Sequence, residues 1–152
     1  MKKDLQERAE ALKQVSSGSA EEYQRKAARM AGRITEELLA RPDVEELVGK
    51  NNMSMMKDNH ANHARFIGSI LSSHNPEVLV ETVLWVFRAY RSRGFSSSYW
   101  AAQLNAWLNV IEEELSPECH AEVYPYYEWM QVNIPVFDAL SDETLQNPDL
   151  LK

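Results

Sequence analysis

The sequence predicts an all-α fold, an up-down bundle of about four core helices over residues 53–141 with additional helices before it. Apolar residues recur at steps of three and four along most of the chain, and no segment has the two-residue alternation of a strand. The chain has only five glycines and contains no Asn-Gly or Asp-Gly hairpin turn. A globin-like arrangement of the same helices remains an alternative, because helix number does not distinguish the two.

The first fifty residues contain a well-marked helix, predicted over 20–40. Its apolar stripe advances by four, three, four and four residues and consists of Tyr23, Ala27, Met30, Ile34 and Leu38. Ser19 and Glu22 have the spacing of a capping box at the start of this helix. A weaker stripe within residues 5–12 indicates a short helix upstream, and Asp43 is placed to cap another after the break at Pro42.

Four further helices follow, and prolines and a glycine mark their ends. The first is predicted over 54–73, because the proline after Asn75 disfavours a helical conformation there, and Asn75 then caps the second. Gly94 is placed to end the second helix, and Ser116 ends the third and caps the fourth. Pro125 lies within the fourth helix and is expected to kink it.

The chain has the length of a single domain, 1–152, which the sequence divides into three parts. Charged N-terminal helices occupy 1–50, an aromatic-rich core bundle 53–141, and a tail 142–152. Of the fourteen aromatic residues, only Tyr23 precedes position 66. This distribution predicts a core built by the second half of the chain, with the N-terminal helices packed outside it.

Charge and hydropathy exclude several classes of partner. The net charge is −7, and from Gly94 onward ten acidic residues face only Lys152, so no basic face for nucleic acid is expected. No run approaches the roughly 18 apolar residues of a membrane span, and the N-terminus lacks a signal-peptide pattern. These observations predict a cytoplasmic protein with no membrane partner. The single cysteine, Cys119, excludes an internal disulfide and a multi-cysteine metal site.

Helix register predicts one candidate site. In an antiparallel hairpin, residues equally distant from the turn lie at the same level, because both helices rise about 1.5 Å per residue. A turn near Asn75 and another near Phe95 therefore bring three helices together at one end. The predicted ligand-binding residues there are His60, His63, Arg88, Tyr90, Arg91, Tyr99, Trp100 and Gln103. Such a polar and aromatic cleft has the composition of a small-molecule site.

The leading functional hypothesis is a non-enzymatic protein that binds or senses a small anionic or aromatic ligand, with Arg88 and Arg91 as charge partners. The alternative is an interaction module that forms a homodimer through the stripes of helices 20–40 and 99–115. The third is an enzyme of unrecognised class, since histidines can perform acid–base chemistry. No catalytic motif and no metal-ligand set is recognised, and the sequence names no cofactor.

The same residues also have structural interpretations. His60 and His63 fit satisfied core or capping residues, and Arg88 and Arg91 fit salt bridges at a helix end. All four tryptophans fit the hydrophobic core.

The segments NHANHARFIGSIL, WVFRAYRSRGF, YWAAQLNAWL and YPYYEWM resemble small all-α bacterial proteins of uncharacterised role. They are distantly similar to the helical modules that accompany sensor or cobalamin-binding domains. The resemblance spans residues 59–130 and implies a bacterial ligand-sensing or regulatory module. It implies no catalytic residue.

Overall fold

The computed structural model describes residues 1–146, with side chains through Asp142. Within this range the chain forms eight α-helices and no strand: α1 (Lys2–Glu10), α2 (Ser17–Leu39), α3 (Val44–Val48), α4 (Met53–Ser72), α5 (Pro76–Arg91), α6 (Ser97–Glu114), α7 (Pro117–Val132) and α8 (Ile134–Gln146). The predicted all-α bundle is confirmed. None of these helices is long and apolar enough to cross a membrane. The predicted tail extends beyond the described residues.

The central helix of the bundle is α2. It packs along α4 and also lies against α6 and α7. Tyr23, Met30, Ile34 and Leu38 on its apolar stripe are all buried, and Leu5 of α1 joins the same hydrophobic core. The N-terminal helices thus pack on the bundle, and the buried face of α2 forms part of the core rather than an outer layer. The distribution of aromatic residues predicted a wrong position for α2, because aliphatic side chains fill much of the interior.

Helices α4 and α5 follow one another in the chain but do not pack closely together. The main neighbour of α4 is α2, whereas α5 lies against α8 and α1. The α5–α8 contact includes Phe87 and Phe137, whose ring centroids lie 5.1 Å apart. The space between α4 and α5 is therefore not filled by a helix–helix interface.

The predicted helix signals at three positions are confirmed. The Asn75 side chain accepts a hydrogen bond from the Val78 N–H at 3.1 Å, and the Ser116 hydroxyl accepts one from the Cys119 N–H at 3.4 Å. Gly94 follows α5 with a φ of 103°, a backbone conformation that favours glycine. Local sequence thus determines where α5 and α7 begin.

Two helix ends differ from the prediction. Asp43 forms no capping bond to α3, because its carboxylate pairs with the Arg41 guanidinium, with Nε and Oδ1 2.8 Å apart. The last predicted helix is divided at Asn133, a buried residue whose Oδ1 accepts a hydrogen bond from Arg8 at 2.9 Å. The separate helix α8, beginning at Ile134, was therefore missed.

The start of α2 and the start of α7 are each capped by a glutamate from the other helix. Ser16, not Ser19, is the N-cap of α2, and its N–H and hydroxyl donate to Glu122 at 2.8 and 3.0 Å. The Ser116 N–H and hydroxyl likewise donate to Glu22, both at 2.7 Å. The predicted capping box is corrected, since Glu22 caps α7 rather than its own helix. This reciprocal capping joins α2 to α7.

We expect Glu22→Gln to weaken this junction. The Ser116 N–H holds the pKa of Glu22 at about 2, below its usual 4.5, so the ionised carboxylate stabilises the fold above pH 4.5 and loses this effect as pH falls toward 2. The substitution should lower the free energy of unfolding at pH 7 by about 1–2 kcal/mol. It should also flatten the dependence of stability on pH between 4.5 and 2. Urea denaturation at a series of pH values measures both effects.

The matched control is Glu21→Gln, at the exposed position beside Glu22. Its effect at pH 7 should stay below about 0.5 kcal/mol. Equal losses of stability in the two variants would contradict the capping role.

Candidate functional site

A cavity of about 220 Å³ occupies the space between α4, α5 and α6. Its wall is mostly aliphatic and aromatic, with a few amide, hydroxyl and imidazole groups. The lining residues are Asn59, Asn62, His63, Phe66 and Ile67 of α4, Thr82, Val83, Trp85, Val86, Phe87 and Tyr90 of α5, Trp100, Gln103 and Leu104 of α6, and Met130 of α7. A concave, mainly apolar wall with a few polar groups is typical of a small-molecule site.

Aromatic side chains shape one side of the cavity. The rings of Phe87 and Trp100 stack with centroids 4.4 Å apart, and Tyr90 meets Trp100 edge to face at 5.9 Å. Trp85 is 64% exposed while lining the cavity, so it lies where the cavity meets solvent. The interpretation of all four tryptophans as core residues is therefore wrong for Trp85 and agrees with the burial of the other three.

His60 lies in a buried polar network that links three helices. Its Nδ1 is 2.8 Å from the Thr35 hydroxyl of α2, and its Nε2 is 3.0 Å from the Tyr99 hydroxyl of α6. Tyr99 donates its only hydroxyl proton to Asn59 Oδ1, at 2.6 Å. His60 Nε2 therefore carries the proton and donates to Tyr99, while Nδ1 accepts from Thr35. The ring of His60 is satisfied on both sides.

His63, one turn further along α4, belongs to a second network. Its Nε2 is 2.9 Å from the Tyr127 hydroxyl of α7, which is 2.6 Å from the Tyr23 hydroxyl of α2. Its ring packs on Trp107 at a centroid distance of 4.7 Å. Protein surrounds His63 except on the side where the ring lines the cavity.

Burial keeps both histidines neutral. It lowers the pKa of His60 from 6.5 to about 4 and that of His63 to about 3. A charged imidazole would lose its hydration in this interior, and no carboxylate pairs with either ring in the described residues to compensate for that loss. At neutral pH the two rings act as hydrogen-bonding groups without charge.

Gln103 is the most unusual polar residue of the cavity wall. The residue is only 2% exposed and lines the cavity, and its side-chain amide forms no hydrogen bond with another described residue. The amide is also not among the fully enclosed polar atoms that lack a partner, so it stays accessible from the cavity. The Gln103 amide therefore offers an unused donor and an unused acceptor to the cavity.

The two predicted charge partners lie outside the cavity wall. Arg88 Nε donates to the Leu84 carbonyl of its own helix at 3.2 Å, and Arg91 pairs with Asp138 and Asp142 of α8. Each arginine follows a wall residue, and one residue turns a helix by about 100°. The interpretation of Arg91 as a salt-bridge residue therefore fits the structure. No charged side chain of the described residues lines the cavity.

The structure divides the eight predicted site residues into three groups. His63, Tyr90, Trp100 and Gln103 line the cavity; His60 and Tyr99 form the network beside it; Arg88 and Arg91 lie elsewhere. The prediction missed Asn59 and Asn62, although Asn59 lies one turn before His63 on the same helix face. Burial raises the pKa of the Tyr90 hydroxyl, and the nearby amides of Asn59 and Asn62 partly offset this shift. Across residues 1–146, no group of three His, Cys, Asp or Glu is placed to hold a metal ion.

Comparisons with protein-family models, with curated proteins and with solved structures found no match to this chain. The resemblance to helical sensor modules stays a prediction.

The buried histidines predict that stability falls with acidification before most carboxylates titrate. The histidines of the unfolded chain take up protons below pH 6.5, whereas the folded rings of His60 and His63 resist protonation down to about pH 4 and pH 3 respectively. Acidification therefore favours the unfolded state. Each histidine should remove on the order of 3 kcal/mol between neutral pH and pH 4. His60→Gln and His63→Gln should each flatten the pH dependence of the free energy of unfolding in this window.

The control is His120→Gln, a half-buried residue of α7 outside both networks. It should keep the wild-type pH dependence. A wild-type stability that is constant from pH 6.5 to 4.5 would contradict the burial of neutral imidazoles.

Proposed function

We propose that this protein binds a small, neutral, largely aromatic ligand in the cavity between α4, α5 and α6, as a non-enzymatic binding or sensing module. The observation that carries the proposal is Gln103, a residue of the cavity wall whose side-chain amide has no hydrogen-bond partner among the described residues. A bound molecule that pairs with the amide gains hydrogen bonds in a space largely shielded from water. Its free energy of binding would thus include a contribution that the empty protein lacks.

The volume of the cavity supports a ligand of one or two rings. An apolar cavity of about 150 Å³ already holds benzene, and sites for drug-sized molecules begin at about 300 Å³. At about 220 Å³ this cavity lies between the two. The exposed edge of Trp85 gives the ligand contact area at the mouth.

The chemistry of the wall supports a neutral ligand over an anionic one. Arg91 is occupied by two carboxylates of α8, and Arg88 contacts its own helix backbone. An anion in this cavity would lose hydration without gaining a charge partner from the described residues. Stacked and edge-on contacts with Phe87, Tyr90 and Trp100 instead favour an aromatic ring.

The helix stripes that the homodimer hypothesis requires are used within the bundle. Tyr23, Met30, Ile34 and Leu38 of α2 are buried, as are Trp107 and the neighbouring apolar residues of α6. These two stripes therefore offer no exposed surface for a homodimer interface.

The test uses 2-naphthol, which is neutral at pH 7, and 2-naphthoate, its anionic counterpart. We expect 2-naphthol to raise the melting temperature in a concentration-dependent way, because a ligand that binds only the folded state stabilises it. The carboxylate should produce little or no shift. Differential scanning calorimetry of the full chain measures both.

Val86→Phe and Val78→Phe place the same new ring at two positions of α5. Val86 lines the cavity, whereas Val78 is 45% exposed and lies outside it. Val86→Phe should reduce the shift produced by 2-naphthol and Val78→Phe should preserve it. Thr82→Phe, at a half-buried wall position, repeats the block if Val86→Phe lowers stability by itself. A shift that survives both blocking variants would show that the probe binds elsewhere.

A further inference from the structure

The proton positions of the Tyr23–Tyr127–His63 network can be derived from burial. Tyr23 is fully buried, and the Tyr127 hydroxyl is its one hydrogen-bond partner among the described residues. If Tyr23 only accepted, its own proton would be buried without a partner, at a cost of about 1–3 kcal/mol. Tyr23 therefore donates to Tyr127, and Tyr127 donates to His63 Nε2.

This direction determines the tautomer of His63. A neutral imidazole carries one ring proton, so a ring that accepts at Nε2 carries its proton at Nδ1. Within residues 1–146 no hydrogen-bond partner of His63 Nδ1 is found, and the ring lines the cavity. His63 thus contributes an Nδ1–H donor to the cavity, because the Tyr23 and Tyr127 hydroxyls of α2 and α7 fix which ring nitrogen carries the proton. His60 has the opposite tautomer and contributes nothing to the cavity.

Gln103 adds a second type of polar contact. Its side-chain amide has a C=O acceptor and an N–H donor side by side, and neither has a hydrogen-bond partner among the described residues. The chemical complement of such an edge is another amide edge in the cis arrangement, with an N–H beside a C=O. In a flat ring, this edge is that of a lactam.

We infer that the ligand of this cavity is a planar heteroaromatic lactam of one or two rings. Its N–H donates to the Gln103 amide oxygen, and its C=O accepts a hydrogen bond from the Gln103 amide N–H. The same carbonyl oxygen also faces the His63 Nδ1–H. This inference rests on the proposed function and specifies its ligand class. A phenol or alcohol would satisfy only one side of the Gln103 amide. A carboxylate would bring a charge that no described wall residue balances.

The tautomer is tested without any ligand. In protein labelled with ¹⁵N-histidine, long-range ¹H–¹⁵N spectra at pH 7 distinguish a ring protonated at Nδ1 from one protonated at Nε2. We expect Nδ1–H for His63 and Nε2–H for His60. A His63 ring protonated at Nε2 would overturn the derived donor and with it the two-residue recognition.

The ligand class is tested with 2-quinolone and N-methyl-2-quinolone, titrated calorimetrically into the full chain. The methyl group replaces the N–H and leaves the carbonyl, so Gln103 Oε1 loses its donor. We expect 2-quinolone to bind at least about tenfold more tightly, because one hydrogen bond and one unpaired buried acceptor separate the two complexes.

The Gln103→Leu variant tests whether Gln103 distinguishes 2-quinolone from N-methyl-2-quinolone. In this variant the difference between the two quinolones should disappear, while an unchanged circular dichroism spectrum shows an intact fold. Gln131→Leu is the matched control, since Gln131 of α7 pairs with Asn105 outside the cavity wall. It should leave the preference for 2-quinolone unchanged.

Failure of this inference is distinguishable from failure of the proposed function. Equal affinities of the two quinolones for the wild type, with 2-naphthol still bound, would overturn the lactam assignment alone. Absence of binding by all three compounds would overturn both. A preference that persists in Gln103→Leu would show that another group reads the N–H.

Discussion

Two buried histidines on one helix tie α4 to three other helices of the bundle. A neutral imidazole in the interior needs hydrogen-bond partners, and His60 and His63 find theirs on α2, α6 and α7. None of these partners comes from α5, the next helix in the chain. Helix α4 packs along α2, whereas α5 packs with α8 and α1, and the cavity lies between α4 and α5.

Much of the fold could be predicted because helix signals are local. The Asn75 and Ser116 caps and the turn at Gly94 depend on a few adjacent residues, and the structure has all three. The register of the two helical hairpins also predicted that residues of α4, α5 and α6 meet. His63 and Gln103 do line one cavity, although α4 and α5 do not pack against each other as the hairpin register assumed.

What the sequence did not predict depends on contacts between distant residues. Glu22 has the spacing of a local capping box, yet its carboxylate is used by Ser116, 94 residues away. Arg91 was assigned to the ligand because level does not determine the side of the helix, and α8, which supplies its carboxylate partners, was not predicted as a separate helix. Trp85 was assigned to the core, as a tryptophan usually is; no pattern in the sequence shows that a cavity mouth leaves it exposed.

We propose that a neutral aromatic molecule occupies the cavity next to Gln103. Intermolecular nuclear Overhauser effects between 2-naphthol and the ¹⁵N,¹³C-labelled protein test it most directly, because they locate the ring atom by atom. We expect contacts from the naphthol protons to the Gln103 side-chain amide, to the Val86 methyl groups and to the ring of Phe87. Contacts confined to residues outside the α4–α5–α6 cavity would contradict it.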